Sequence, residues 1–197
     1  MQVDTRNKEF QDALNLIQYT RQSVFLTGKA GTGKSTFLKY VCANTKKKYV
    51  VLAPTGIAAI NAGGSTLHSF FKLPFHPLLP DDPNFSLKGG KLHSFLKYSS
   101  EHRKLIKQLE LVIIDEISMV RADLLDQIDR VLRKLRYRHA HQAFGGVQML
   151  LIGDLSQLPP VATGQDWDIL SQYYDTPYFL SAQIWQDTAF HTIELDH

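Results

Sequence analysis

Cysteine is nearly missing: Cys42 stands alone among 197 residues, so no internal disulfide can form and a reducing compartment is expected. Long hydrophobic runs are missing too. No apolar stretch approaches the roughly 18 to 20 residues that a membrane span needs. The amino terminus, Met1-Gln2-Val3-Asp4-Thr5-Arg6, shows neither the apolar segment of a secretory signal nor a transit pattern. The expectation is a cytoplasmic, monomeric chain with no membrane partner. Charge of one sign is scarce: 22 Lys and Arg against 19 Asp and Glu leave +3, which permits an anionic partner without requiring one. Disorder is not indicated, since 44% hydrophobic residues can build the core of one α/β domain.

Short apolar runs recur at Val24-Phe25-Leu26, Tyr49-Val50-Val51-Leu52, Leu111-Val112-Ile113-Ile114 and Met149-Leu150-Leu151-Ile152. Their apolar character is continuous, which suits strands buried on both faces of a parallel sheet. Helical patterns lie between them, as in 121–138, where Leu124, Ile128, Leu132 and Leu135 form one face. Strand, helix and strand in succession predict an α/β fold, a mostly parallel sheet with helices on both faces. The pattern fails after Phe71, where Pro74, Pro77, Pro80, Pro83, Gly89 and Gly90 interrupt any helix or central strand, so 72–100 reads as an insertion. Lys46-Lys47-Lys48 reads as a solvated turn, and Arg130, Arg133, Lys134, Arg136 and Arg138 as a solvated helix face.

Gly28-Lys29-Ala30-Gly31-Thr32-Gly33-Lys34-Ser35 fits G-x-x-x-x-G-K-[ST], between a strand ending at Thr27 and a helix running toward Cys42. Composition alone gives this pattern in roughly one such chain in a hundred. Its chemistry is that of a phosphate cradle: glycines let backbone amides converge on oxygens, and the helix start offers its positive end. Lys34 would neutralise the β- and γ-phosphates, Ser35 would give a hydroxyl to Mg²⁺, and Thr36 could bond a neighbouring phosphate. Asp115 and Glu116 end an apolar strand. Asp115 would hold the Mg²⁺ shell and Glu116 would orient or deprotonate water, an arrangement for hydrolysis rather than phosphoryl transfer to a hydroxyl. No N-K-x-D follows a later strand, so ATP is expected over GTP. After Ile152-Gly153-Asp154, Gln157 could sense the γ-phosphate.

Together with Ala53-Pro54-Thr55-Gly56-Ile57-Ala58-Ala59, Asp115-Glu116-Ile117-Ser118-Met119-Val120 and Gly153-Asp154-Leu155-Ser156-Gln157-Leu158-Pro159-Pro160-Val161, the phosphate loop resembles that of superfamily-one 5′-to-3′ DNA helicases. Gly64-Ser65-Thr66-Leu67-His68-Ser69-Phe70 and Arg121-Ala122-Asp123-Leu124-Leu125-Asp126 are similar to signature segments of the petite-integration-frequency (Pif, RecD-like) branch. The resemblance implies a RecA-like motor domain. It implies that Gln11 reads adenine, although Phe10 stands where the family often has an acid. It places single-strand DNA contacts on Pro54, Thr55, Gly56, His68, Ser69, Phe70, Pro159 and Pro160, and makes the insertion a strand-separating subdomain. His68 or Phe70 could stack a base for about 1 to 3 kcal/mol; Phe70 and Phe71 could equally be core. Such helicases carry an arginine finger on a second RecA-like domain, which is expected to be missing from a chain ending Thr192-Ile193-Glu194-Leu195-Asp196-His197. Since such a finger contributes about 10³ to 10⁵ in rate, the fragment is expected to bind Mg-ATP and single-stranded DNA with little turnover. The competing readings are another P-loop ATPase and a non-catalytic nucleotide- or DNA-binding module.

Overall fold

A computed structural model describes residues 6–85, 97–157 and 159–196. Its frame is a six-stranded sheet in the order β3-β2-β4-β5-β1-β6, parallel throughout. The strands are β1 (Val24–Thr27), β2 (Tyr49–Ala53), β3 (Ser65–Thr66), β4 (Leu111–Ile114), β5 (Gln148–Gly153) and β6 (His191–Glu194). Alternate residues of the continuous apolar strands enter separate cores. Val112, Ile114, Met149, Leu151 and Phe25 face one, while Leu111, Ile113, Leu150, Ile152, Val24 and Leu26 face the other. That two-sided burial is why these strands do not alternate with polar residues.

On one face lie α1 (Lys8–Tyr19) and α2 (Lys34–Asn44), with Phe10, Ile17, Phe37 and Val41 in its core. The other face is covered mainly by α4 (Leu67–Phe71), α5 (Ser100–Gln108), α6 (Ala122–Leu135), α7 (Gly164–Leu170) and α8 (Gln183–Asp187). The short α3 (Gly56–Ala62) follows β2 and is capped by the Thr55 hydroxyl, which accepts from Ala58 N–H at 3.2 Å. The α/β expectation with helices on both faces is borne out. No helix among the described residues is long and apolar enough to cross a membrane.

Helix α6 is the organising element of its layer and differs from the sequence expectation. Besides its apolar face, three buried carboxylates hold distant backbone amides. Asp123 accepts from Leu78 N–H at 2.9 Å, Asp126 from Gln183 and Ile184 N–H at 3.0 and 2.9 Å, and Asp129 from Phe144 N–H at 2.6 Å. Of the basic residues expected to form a solvated face, Arg138 is exposed, whereas Arg133 and Arg136 are held by protein groups. Arg133 pairs with Asp129 at 2.9 Å, and Arg136 donates to the carbonyls of Gly145, Ile106 and Lys107 at 2.8, 3.1 and 2.7 Å. The last carbonyls of α5 lack a full set of helical donors, so the guanidinium of Arg136 supplies them.

The described ends of the 72–100 insertion are tied into the same core. Leu73, Leu78 and Tyr98 are buried in it, and Tyr98 donates its hydroxyl to the Phe71 carbonyl. The part expected to separate strands includes 86–96, which lies outside the described residues.

Candidate nucleotide site and strand groove

Because every strand runs the same way, the loops after β1, β2, β4 and β5 emerge at one edge, where open α/β sheets bind ligands. The phosphate loop leaves β1 there. Gly33 caps α2 with φ 102°, a left-handed conformation that glycine adopts without Cβ strain. Gly28 is needed for space: a Cβ on it would lie 2.5 Å from Thr32 Oγ1 and 2.8 Å from the Leu195 carbonyl. Thr32 in turn closes the loop, its hydroxyl donating to the Lys29 carbonyl at 2.7 Å. Lys34 curls over the loop and donates to the Gly28 carbonyl and, at 2.9 Å, to that of Lys29. Ala30, Gly31 and Ser35 are exposed, and Thr36 is half-buried.

Asp115 and Glu116 follow β4, and β5 separates them from β1, so the acids stand two strands from the phosphate loop. Glu116 has φ 54° and ψ 45°, unusual for a side chain with a Cβ and a form of strain that clusters at functional sites. Asp115 Oδ1 accepts from the Glu116 N–H at 2.9 Å. Asp154 directly follows the intervening strand and accepts from the Ser156 hydroxyl at 2.7 Å and its N–H at 2.9 Å.

These groups feel one another. Burial lowers the Lys34 ammonium below its ordinary value, opposed by Asp154 first, then Glu116 and Asp115. Burial raises Asp115, opposed by its bond from Glu116 N–H and by Lys34. Glu116 is raised by burial first and by Asp115 second. Asp154 moves the other way, because two hydrogen bonds from Ser156 and the nearby Lys34 and Lys29 favour its charged form. Asp154 is the functional candidate that sequence reasoning passed over. Its signal was the one used for Asp115, an acid directly after an apolar strand.

Gln11 is exposed on α1, beside Phe10, which is buried against the helix that carries Lys34. Gln157 is exposed and its N–H returns to the Asp154 carbonyl at 3.1 Å. Pro159 is exposed and Pro160 buried, while Leu158 lies outside the described residues.

Beside this edge runs a groove of about 280 Å³ lined by Pro54, Thr55, His68, Phe75, Arg121 and Asp166, among others. It brings together three of the residues expected to touch DNA, Pro54, Thr55 and His68; Gly56 and Ser69 are exposed next to them. Phe70 is a correction. It is buried in the core, edge-on to Phe71 and His102, each at 4.9 Å, and is not among the residues lining the groove. The exposed aromatic is Phe75, which stacks on His68 at 4.3 Å and 14°. It was missed because it follows the first proline of a segment read only as an insertion.

A family model described as a PIF1-like helicase matches residues 4–196. The chain is 35% identical over 182 residues to the ATP-dependent DNA helicase PIF1 of Candida albicans, covering 88% of this chain and 18% of that protein. It is 34% identical over 194 residues to the ATP-dependent DNA helicase Pif1 of Bdellovibrio bacteriovorus, covering 96% and 38%. The fold is similar to that of a Bacteroides Pif1 helicase solved in complex with ADP-AlF3 and ssDNA, with 49% identity and a TM-score of 0.86 over 97% of this chain and 42% of that one. The chain thus spans less than half the length of these relatives. With a match over nearly its whole length, the chain belongs to the PIF1-like helicase family.

Proposed function

We propose that this chain is the ATP-binding RecA-like motor domain of an ATP-dependent DNA helicase, holding Mg-ATP at the phosphate loop and single-stranded DNA in the adjoining groove. The observation that carries the reading is the convergence of Lys34 with Asp154, Glu116 and Asp115 at one sheet edge. A Bacteroides Pif1 solved with ADP-AlF3 and ssDNA, 49% identical over this length, supports it.

In this reading the amides of Gly28 to Thr36 cradle the phosphates at the start of α2, and Lys34 exchanges its carbonyl partners for phosphate oxygens. Gln11 reads adenine and Gln157 senses the terminal phosphate. The site fits a magnesium ion: its donors, the Ser35 hydroxyl and the Asp115 carboxylate, are hard oxygens, and its three acids leave it short of positive charge. When bound, Mg²⁺ would screen the phosphates from those acids. Glu116 holds or deprotonates the attacking water. Pro54, Thr55, Gly56, His68, Ser69, Pro159 and Pro160 remain the strand-binding set, with Phe75 in place of Phe70. Unwinding and rapid turnover require a second RecA-like domain with its arginine finger.

Titration of a fluorescent ATP analogue with and without Mg²⁺ tests this. The unmodified chain should bind in a Mg²⁺-dependent way, and Lys34→Ala should weaken binding at least about tenfold, as expected for a lost charge-assisted contact. Equal binding by both chains would sink the site assignment.

A further inference from the structure

Arg121 sits at the amino end of α6, and one edge of its guanidinium is fixed. Its Nε and Nη2 donate to the two oxygens of Asp123 at 2.9 and 3.1 Å, and the same carboxylate holds the Leu78 N–H. Asp123 therefore locks the guanidinium to the chain segment that carries Phe75. The remaining nitrogen, Nη1, lies 3.8 Å from Asp166 Oδ2 on α7, beyond hydrogen-bond reach. Arg121 is 12% exposed at its side chain and Asp166 29%, so the loosely held partner is the more accessible one.

Both residues line the groove with Pro54, Thr55 and the His68–Phe75 stack. Arg121 is the one fixed cation among the described lining residues. Its charge reaches the far wall: burial first, and Arg121 second, lower the proton affinity of His68. A neutral His68 leaves Arg121 to attract an anion.

We propose that Arg121 is a phosphate-binding residue of the strand groove, and that Asp166 occupies the guanidinium until a DNA phosphate displaces it. The inference rests on the groove being the strand-binding face. A phosphate oxygen on Nη1 would make a charge-assisted bond where the 3.8 Å pair makes none. With Asp123 already matching the charge of Arg121, Asp166 leaves this part of the groove net negative, so it competes with the incoming strand. Displacing it would act on α7, whose amino end follows the Gln157 and Pro159-Pro160 segment, so strand binding and the γ-phosphate side of the site would share one element.

The test is fluorescence anisotropy of a labelled oligodeoxythymidylate with this chain over a range of salt. Asp166→Asn should tighten binding by about three- to tenfold. Asp168→Asn, an exposed acid on the same helix, should change it less than about twofold. Arg121→Gln should weaken binding and lower the salt slope by about one; where it fails to fold, the Asp166 arm decides alone. Unchanged binding by Asp166→Asn, or equal tightening by Asp168→Asn, overturns the proposal while leaving the groove reading intact. No oligonucleotide binding by the unmodified chain at low salt overturns both.

Discussion

The ring of Phe10 stands edge-on to that of Phe37, with centroids 5.1 Å apart, and so joins α1 to the first turns of the helix that begins at Lys34. Phe10 is fully buried, and its edge also meets Tyr40 at 6.0 Å. Phe10 is thus a packing contact that holds α1, and with it Gln11, against the phosphate-loop helix. Phe10→Ala should cost about 3 to 5 kcal/mol of stability, the range for removing a buried aromatic ring. Urea unfolding measures this; a loss below about 1 kcal/mol would mean that α1 is not held through this ring.

The raised carboxyl of Glu116 gives a prediction whose sign follows from linkage. A group whose folded pKa lies above its ordinary value of 4.5 favours the folded chain most when protonated, so its contribution is complete below that value and is lost as pH rises through the folded pKa. Glu116→Gln keeps the uncharged shape. The variant should therefore be more stable than the unmodified chain at pH 7 to 8, by about 1 kcal/mol or less because the group is partly solvated, and the difference should vanish near pH 4. Thermal unfolding at both pH values checks it. The same substitution should preserve nucleotide binding and abolish hydrolysis in the complete helicase.

Gly153 supplies a second handle on the acidic turn. A Cβ there would lie 2.8 Å from the Ile117 Cγ2 and 3.2 Å from its N, directly behind the residue that follows Glu116. Gly153→Ala should push that turn away from β5 and misplace the Glu116 carboxylate, while the phosphate loop on β1 stays in place. In the complete helicase the expected result is a drop in the hydrolysis rate of about tenfold or more, with nucleotide affinity within about threefold of normal, because misplacement of a catalytic group is felt in the chemical step. Equal losses in both would show that the change spreads through the sheet.

The sequence showed the sheet and the phosphate site because both rest on local signals. A run such as Leu111-Val112-Ile113-Ile114 is apolar throughout only if two cores flank it, and the loop from Gly28 to Ser35 needs its glycines at fixed spacing. What it hid depends on contacts distant in the chain. Nothing near Asp154 reveals that β5 inserts between β1 and β4 and brings this carboxylate closest in effect to Lys34. Phe70 and Phe75 are both aromatic, and only the packing of α4 against α5 decides that Phe70 is covered and Phe75 is free to stack on His68. Arg136, which follows α6, reads as part of a solvated face because its carbonyl partners lie 9 and 29–30 residues away.

Lys47 makes the same point and is open to test. In sequence it is the middle of three lysines in a turn. In the fold its ammonium donates to the carbonyls of Ile17 and Thr20 at the end of α1, at 2.6 and 2.7 Å, and to Gln148 Oε1 on β5 at 2.6 Å. Gln148 also donates to the carbonyls of Leu16 and Gln22. Burial, its largest influence, lowers the Lys47 pKa, and Glu110 opposes that shift. A cation at a helix carboxyl end satisfies orphan carbonyls and complements the helix dipole. Lys47→Ala should therefore destabilise the chain by about 1.5 to 3 kcal/mol, the range for hydrogen bonds to a charged group. Lys46→Ala and Lys48→Ala replace exposed side chains and should stay within about 0.5 kcal/mol of normal. Because all three lie at the start of β2, away from the groove at the opposite end of that strand, oligonucleotide affinity should be unaffected by Lys47→Ala once the chain is folded. If all three variants unfold with the same midpoint as the unmodified chain, Lys47 is a surface lysine after all and the α1–β5 tie is not a source of stability.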